Sequence, residues 1–250
     1  MQALDESGFA ENTLVVFMSD NGIAVPFAKC NVWFHSSRTP LVVRWPGVTA
    51  AGSQNDDDFV STVDLWPTFS AATGVPMPDQ YDGRSFVPLL RGKEQNGRDI
   101  VFSQIDKKAG DDPVPMRCVQ NAQFGYIYNP FSDGKHRYRN NNEGKCMAAM
   151  NLAAKKDQAI ADRVQLFRYR VPEELYDLEK DPDCLRNLID DPSHANTAAA
   201  LRVRLRKWME TTNDPMLSAL DNRTNRAVVD RVLLETYGRP KPHKNNKRVR

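Results

Sequence analysis

The chain has 250 residues, and 40% of them are hydrophobic, so it is long enough to bury a sizeable core in one large domain or two smaller ones. Its 34 basic and 32 acidic residues give a net charge of +2, which excludes the strongly basic field typical of nucleic-acid-binding proteins. No apolar run approaches the roughly 20 residues of a membrane span.

The first part of the chain alternates strand-like runs with turn and helix signals. The opening residues predict the end of a helix that stops at Gly8. The apolar, β-branched run at residues 13–18 predicts a strand buried on both faces, as in a parallel sheet. Residues 40–47 predict a second strand that ends in a Pro-Gly turn. Ser61 and Asp64 have capping-box spacing ahead of an apolar helix face.

The second part of the chain has a different character. The polar stretch at residues 91–99 is a candidate domain boundary, and residues 124–129 predict a strand. Residues 130–145 are polar and rich in turn formers, so they predict a surface loop. Residues 195–211 predict a helix with one apolar stripe. The tail at residues 238–250 has no acidic residue and predicts a solvated tail, with a polyanion-binding arm as the alternative.

The cysteines show neither a C-x-x-C pair nor zinc-site spacing with histidine. Scattered thiols are therefore expected, although an even number of cysteines permits disulfides. The four residues are Cys30, Cys118, Cys146 and Cys184.

The sequence Asp20-Asn21-Gly22 follows the first predicted strand directly. In open α/β sheets, ligands bind beyond the carboxyl ends of the strands. Carboxylate and amide oxygens suit a hard cation such as calcium, which takes about six to eight oxygen ligands, so these residues would supply part of a shell. Lys29, further along the same loop, would place an ammonium group beside a bound oxyanion. Asp-Asn-Gly is also an ordinary turn sequence, so spacing alone leaves both interpretations open.

Several stretches of the chain, taken in order, resemble the C-terminal half of a sulfatase of the alkaline-phosphatase-like superfamily. Within that superfamily the resemblance is closest to the heparan N-sulfatases, the N-sulfoglucosamine sulfohydrolases. The stretches are NTLVVFMSDNG, DNGIAVPFAK, AKCN, SSRTPLVVRWPG, VDLWPTFSAATGVPMPDQYDGRSFVPLLRG, PMRCVQNAQFGYIYN and ELYDLEKDPDCLRNLIDDP.

The resemblance implies an α/β fold made of two parts and a tail. Residues 1–102 would form the C-terminal portion of the catalytic sheet-and-helix domain. Residues 103–237 would form a smaller α+β domain, and residues 238–250 a basic tail.

The resemblance also implies a role for each residue of the candidate site. Asp20 and Asn21 match calcium ligands of the family, and Lys29 matches the basic residue that contacts the sulfate group. Arg38 matches a recurrent arginine that either contacts substrate or braces the loop against a carboxylate. His35 lies in the same loop and is left out of the site, because a lone loop histidine is usually just exposed.

The chain lacks the nucleophile motif of the family, C-x-P-S-R or S-x-P-S-R, whose Cys or Ser becomes formylglycine. The early paired aspartates and the histidines that act on the leaving group are missing as well. We therefore expect a truncated C-terminal half that is inactive and only marginally stable by itself. The absence of a signal peptide then carries no weight, and the resemblance implies a periplasmic, secreted or lysosomal location for the whole protein.

The function implied by the resemblance is hydrolysis of sulfate esters or sulfamates of sugars. One alternative is a phosphate or phosphonate ester hydrolase of the same superfamily, although Asn21 favours sulfate because those enzymes more often have Asp-His-Gly here. The other alternative is a non-catalytic fragment that binds anionic glycans. The expected partner is a sulfated sugar, without nucleic acid.

Overall fold

The structure is a computed structural model that describes residues 1–108, 112–140 and 144–238. The helices, in chain order, are α1 Gln2–Glu6, α2 Phe34–Ser37, α3 Leu65–Thr73, α4 Val87–Leu90, α5 Lys145–Ala153, α6 Gln158–Tyr169, α7 Ala195–Thr211, α8 Leu217–Asp221 and α9 Arg226–Tyr237. The strands are β1 Val15–Met18, β2 Leu41–Arg44, β3 Ile100–Lys108, β4 Asp112–Asn121, β5 Phe124–Tyr128 and β6 Glu173–Asp177. The predicted solvated tail begins at Gly238, and the rest of it, residues 239–250, lies outside the described residues.

The chain divides into two compact units. The first consists of Met1–Asp20 and Thr39–Val101, and the second consists of Asn21–Arg38 and the chain from Phe102 onward. The segment of residues 21–38 therefore belongs to the second unit. The predicted domain division after residue 102 stays a prediction.

The sheet of the first unit has two strands, β1 and β2, which pair antiparallel with Phe17 opposite Val42. Both side chains are exposed, Phe17 at 67% and Val42 at 58%. The prediction of a strand at residues 13–18 is confirmed, but its burial on both faces in a parallel sheet is wrong. An apolar, β-branched run favours a strand without specifying which segment pairs with it or covers it.

Helix α3 of the first unit begins with the predicted capping box. Ser61 and Asp64 exchange their side-chain and backbone hydrogen bonds across a single 3-10 turn, which satisfies donors that a helix start leaves unpaired. Asp64 also accepts from the backbone N–H of Arg84 at 2.7 Å and forms a buried ion pair with Arg98. Gly74 ends the helix with a left-handed backbone, at φ 72°.

The sheet of the second unit has the strand order β3-β4-β5-β6, and β5 is antiparallel to both of its neighbours. Side chains from β4, β5 and β6 pack into one core, among them Met116, Cys118, Ile127 and Tyr176. The prediction of a strand at residues 124–129 is confirmed by β5.

Helix α7 packs on this sheet through the apolar stripe that its sequence predicts. Leu201, Leu205 and Met209 are buried. Trp208 is half-buried, and its ring stacks on Phe102, with 5.0 Å between the centroids. The predicted helix at residues 195–211 is therefore confirmed.

The loop after β5 is less exposed than its composition predicts. Phe131 is 3% exposed, and Tyr138 is completely buried. The prediction of a surface loop at residues 130–145 is wrong for these two positions, because each ring fills the core of the second unit between polar neighbours.

Within the part of the chain that the structure describes, no helix is long and apolar enough to cross a membrane.

Candidate functional site

The predicted metal ligands follow the end of β1. Asp20 is exposed and ends the first segment of the first unit, while Asn21 is half-buried and begins the segment of the second unit. Asp20 and Asn21 are close together because they are consecutive in the sequence. Lys29 and Arg38 lie, like Asn21, on the segment of residues 21–38.

Gly22 is required where this segment folds back on itself. Its backbone N–H donates to the carbonyl oxygen of Ser36 at 3.3 Å. A Cβ atom at this position would lie 2.1 Å from the carbonyl oxygen of His35 and 2.2 Å from that of Ala28. Real Cβ atoms do not approach backbone this closely, so the turn needs glycine.

Lys29 lies in a loop whose shape is fixed by hydrogen bonds from its neighbours. The amide nitrogen of Asn31 donates to the carbonyl of Lys29 at 3.0 Å, and its amide oxygen accepts from the backbone N–H of Trp33 at 2.9 Å. The hydroxyl of Tyr138 donates to the carbonyl of Cys30. The backbone on either side of Lys29 is therefore tied down, while Lys29 itself is half-buried.

The loop is also anchored by the indole of Trp33. Its Nε1 donates to Oε2 of Glu174, a fully buried carboxylate in β6, at 2.8 Å. Oε1 of the same carboxylate accepts from the side-chain amide of Asn129 at 2.7 Å. Because a buried carboxylate needs such partners, the contact between Trp33 and Glu174 ties the loop to the sheet of the second unit.

Two guanidinium groups and three aromatic rings form a layered group around this loop, which we call the cation–aromatic cluster. Its residues, in spatial order, are Arg163, Phe27, Trp33, Arg170 and Tyr138. The central carbon of the Arg163 guanidinium lies 3.6 Å from the centroid of Phe27, and the rings of Phe27 and Trp33 lie 4.5 Å apart. The central carbon of the Arg170 guanidinium lies 3.8 Å from the centroid of Trp33 and 4.3 Å from that of Tyr138. The cluster thus places a cation against both aromatic residues that flank Lys29.

Burial changes the protonation equilibria of the cluster. Loss of solvent lowers the pKa of Arg170 to about 10 and also lowers the pKa of Arg163, because a buried cation loses its hydration. Burial raises the pKa of Tyr138 to about 12. At neutral pH both arginines carry a charge and Tyr138 keeps the proton that it donates to Cys30.

Arg38 lies at the end of α2 and is exposed. Its guanidinium carbon lies 5.2 Å from the ring centroid of Phe34. This ring contact fits a residue that braces the loop, although the sequence leads us to expect a carboxylate as its partner. A contact between Arg38 and substrate stays a prediction.

His35, which the sequence argument leaves out of the site, has a partner that the sequence does not reveal. Its Nε2 lies 2.8 Å from Oδ1 of Asp183, in the segment that follows β6. Both residues line a cleft of about 450 Å³ together with Arg163 and apolar residues of the loop. Local sequence carries no signal for this pair, because 148 positions separate its members.

The donor set of this chain fits part of a calcium shell. Asp20 and Asn21 offer a carboxylate and an amide oxygen, the ligand types that calcium prefers, but calcium takes about six to eight oxygens. No group of three or more His, Cys, Asp or Glu residues that would hold a metal ion occurs among the residues described. Further ligands would have to come from outside this set.

Two of the four cysteines are unsuited to act as nucleophiles because they are buried. All four are free, as the sequence predicts, and Cys118 and Cys184 are buried. Burial raises the pKa of both thiols to about 12, so they remain protonated at neutral pH, whereas nucleophilic attack requires the thiolate.

The chain is similar in sequence to known sulfatases. Residues 24–129 match the family described as "N-sulphoglucosamine sulphohydrolase, C-terminal". The N-sulphoglucosamine sulphohydrolase of Homo sapiens is 29% identical over 239 residues, which cover 88% of this chain and 46% of that protein.

Solved structures show the same fold. A 2-O GAG sulfatase superposes with a TM-score of 0.63 at 22% identity, over 89% of this chain and 40% of its own. The phosphonate monoester hydrolase of Agrobacterium radiobacter superposes with a TM-score of 0.59 at 23% identity, over 84% and 37%.

The chain is thus a sulfatase homologue with an alkaline-phosphatase-like fold, as the sequence predicts. Within that class, residues 24–129 are similar to the C-terminal region of the N-sulphoglucosamine sulphohydrolases. It spans less than half the length of the relatives that it matches.

Proposed function

We propose that this chain supplies the sulfate-binding loop and part of the calcium site of a hydrolase that removes sulfate from sulfated sugars. The proposal is carried by the hydrogen-bonded backbone of the loop that contains Lys29. The loop around it is fixed by Asn31, by Tyr138 and by the buried contact of Trp33 with Glu174. A preorganised cation beside the negative charge that develops in the transition state usually makes the largest single contribution to catalysis.

Lys29 would bind a sulfo oxygen through its ammonium group and offset the negative charge that builds up at sulfur. Because the loop is already ordered, this charge would need little reorganisation during the reaction. The nucleophile and the group that protonates the leaving amine or alcohol would come from residues outside this chain, since no formylglycine motif occurs in it.

Asp20 and Asn21 would hold one side of a calcium ion. When bound, calcium acts as a Lewis acid that polarises a sulfo oxygen. The support for this assignment is the donor chemistry of the two residues and their place directly after β1.

The substrate class that we favour is a sugar with an N-sulfoglucosamine end, as in a heparan-type chain. The support is the family description over residues 24–129 and the likeness to the human N-sulphoglucosamine sulphohydrolase. By the same resemblance the whole protein would act in a periplasmic, secreted or lysosomal compartment.

A hydrolase of phosphonate esters is the second candidate, favoured by the structural likeness to a phosphonate monoester hydrolase. By the family resemblance of the sequence, the amide of Asn21 weighs against it, because Asp-His-Gly would be expected here in a phosphate or phosphonate hydrolase. A fragment that binds sulfated glycans without turnover is the third candidate, consistent with a chain that lacks the nucleophile.

The test is hydrolysis by the protein that carries this chain, with N-sulfoglucosamine, an O-sulfated glucosamine and an aryl phosphonate compared at equal concentration. We expect sulfate release from N-sulfoglucosamine above that from the O-sulfated sugar, with little phosphonate hydrolysis. Turnover of the phosphonate alone would establish the second candidate. Calcium-dependent glycan binding without turnover would establish the third.

A further inference from the structure

We propose that Arg163 and Arg170 are positioning residues that clamp the loop carrying Lys29 through the cation–aromatic cluster. The inference rests on the proposed function, because it assigns to the cluster the task of holding Lys29 where a sulfo group binds. It concerns contacts within the second unit only.

The two central rings of the cluster lie on either side of Lys29 along the chain. Phe27 precedes Lys29 by two residues, and Trp33 follows it by four. Each ring lies under a different guanidinium, Phe27 under Arg163 and Trp33 under Arg170. Holding both rings therefore fixes the backbone on both sides of Lys29.

Arg170 lies in an unusual environment for a cation. It is 4% exposed, it forms no ion pair with a carboxylate among the described residues, and the polar group beside it is the Tyr138 hydroxyl. A buried cation is costly unless its environment compensates for the lost hydration. Here the compensation comes from the faces of Trp33, Tyr138 and Phe167, at 3.8, 4.3 and 5.1 Å. A buried charge kept without an ion pair is the kind of local cost that marks a functional position.

Tyr138 connects Arg170 with the residue that follows Lys29. Its ring faces Arg170, and its hydroxyl donates to the carbonyl of Cys30, the residue after Lys29. The contact from Arg170 to the Lys29 loop thus runs along two routes, one through Trp33 and one through Tyr138.

The loop that carries Lys29 contains two residues with strained backbone conformations. Phe27 and Cys30 have left-handed backbone conformations, at φ 69° and φ 57°, although neither is glycine. Such conformations persist only where the surrounding structure holds them. Arg163 contacts the ring of Phe27, and the hydroxyl of Tyr138 donates to the carbonyl of Cys30. The cluster therefore acts at both strained positions.

The cysteines of the chain provide the test. Cys30 lies in the clamped loop, Cys146 is exposed, and Cys118 and Cys184 are buried in the core. The rate of alkylation by iodoacetamide, followed site by site with mass spectrometry, separates opening of the loop from global unfolding. Below global unfolding, Cys30 is expected to respond to the clamp, whereas Cys118 and Cys146 are not. Cys184 is not used as a control, because its thiol contacts the backbone of Phe34 in the same loop.

We expect Arg170→Met to raise the alkylation rate of Cys30 about tenfold, while the rates of Cys118 and Cys146 stay unchanged. A tenfold change corresponds to about 1.4 kcal/mol, which lies within the range of a desolvated cation–aromatic contact. Arg170→Lys keeps the charge and should restore most of the protection. Arg206→Met, which removes an exposed arginine paired with Asp221, is the matched control and should change nothing.

A Cys30 rate that stays at the wild-type value in Arg170→Met would overturn the clamp. If that variant unfolds, faster alkylation of Cys118 reveals it, and Phe27→Leu then decides the question. This second variant removes a ring of the cluster but keeps an apolar side chain. Selective exposure of Cys30 in Phe27→Leu supports the clamp, and unchanged protection overturns it.

Sulfate release from N-sulfoglucosamine separates failure of the clamp from failure of the proposed function. If both are correct, Arg170→Met lowers kcat/KM while Arg206→Met leaves it unchanged, because Lys29 is then held less firmly where the sulfo group binds. If the wild-type protein releases no sulfate, the proposed function fails, while the alkylation of Cys30 still decides the clamp. Wild-type turnover in a variant whose Cys30 has become exposed would contradict the positioning role.

Discussion

The indole Nε1 of Trp33 lies 2.8 Å from Oε2 of Glu174, although 141 positions separate the two residues. This contact joins the loop of residues 21–38 to strand β6 inside the second unit. The carboxylate also accepts from the Asn129 amide and from the Tyr176 hydroxyl, so three donors converge on one buried charged group. The position of Lys29 therefore depends on a carboxylate in strand β6, which lies far from Lys29 along the sequence.

Replacement of Glu174 by glutamine tests this dependence. The amide of glutamine would direct an N–H group at a donor, which leaves at least one buried polar group unsatisfied. We expect a loss of about 1–3 kcal/mol in the free energy of unfolding, measured by urea denaturation. Glu179→Gln, at an exposed position, is the control and should leave stability within about 0.5 kcal/mol of wild type. Equal stability of the two variants would show that the network around Glu174 contributes nothing.

Gly22 offers a test of the turn that begins the loop. Alanine would place its Cβ within 2.2 Å of two backbone carbonyl oxygens, and backbone cannot move aside cheaply. We expect Gly22→Ala to cost about 1–3 kcal/mol, the range of overpacked positions. Gly144→Ala is the matched control, because a Cβ there meets nothing within 4 Å. Similar urea midpoints for the two variants would mean that the turn relaxes without cost.

These features differ in how far the sequence could predict them. The capping box of Ser61 and Asp64 is predictable, because its partners are three positions apart and interact locally. The strand at β1 is predictable from its residues, but its antiparallel pairing with β2 depends on a segment more than twenty positions away. The contact of Trp33 with Glu174 and that of His35 with Asp183 arise only when the chain has folded. The resemblance therefore predicts a role for Lys29, whereas the local sequence does not reveal the contacts that position its loop.

Calcium binding tests the assignment of Asp20. The carboxylate supplies the charged oxygen of the predicted pair, so Asp20→Ala should weaken calcium binding at least tenfold in calorimetric titrations of the protein that carries this chain. Asp57→Ala removes an exposed aspartate of the first unit and should leave the affinity unchanged. Equal affinity of the Asp20→Ala variant and wild type would remove Asp20 from the metal site.

The buried thiols predict how stability depends on alkaline pH. Burial raises the pKa of Cys118 and of Cys184 from 9.0 to about 12, so between these values the folded state binds more protons than the unfolded state. Stability should be fully present below pH 9 and fall as pH rises, by at most about 1.4 kcal/mol per pH unit for each thiol. Cys118→Ala should flatten this decline between pH 9 and 11, whereas exposed Cys146→Ala should not. Stability is measured by thermal unfolding at each pH. Equal declines of stability in Cys118→Ala and Cys146→Ala would contradict the assignment.

The central claim is that Lys29 contacts the sulfo group, and the most direct measurement is kcat/KM for sulfate release from N-sulfoglucosamine in Lys29→Ala. Lys155→Ala, which removes an exposed lysine of the second unit, serves as the control. The account predicts a loss on the order of 10²-fold or more in Lys29→Ala, as expected for removal of one preorganised electrostatic contact, and no change in the control. Equal kcat/KM values in Lys29→Ala, Lys155→Ala and wild type would contradict the account, because Lys29 would then be only a solvated loop residue.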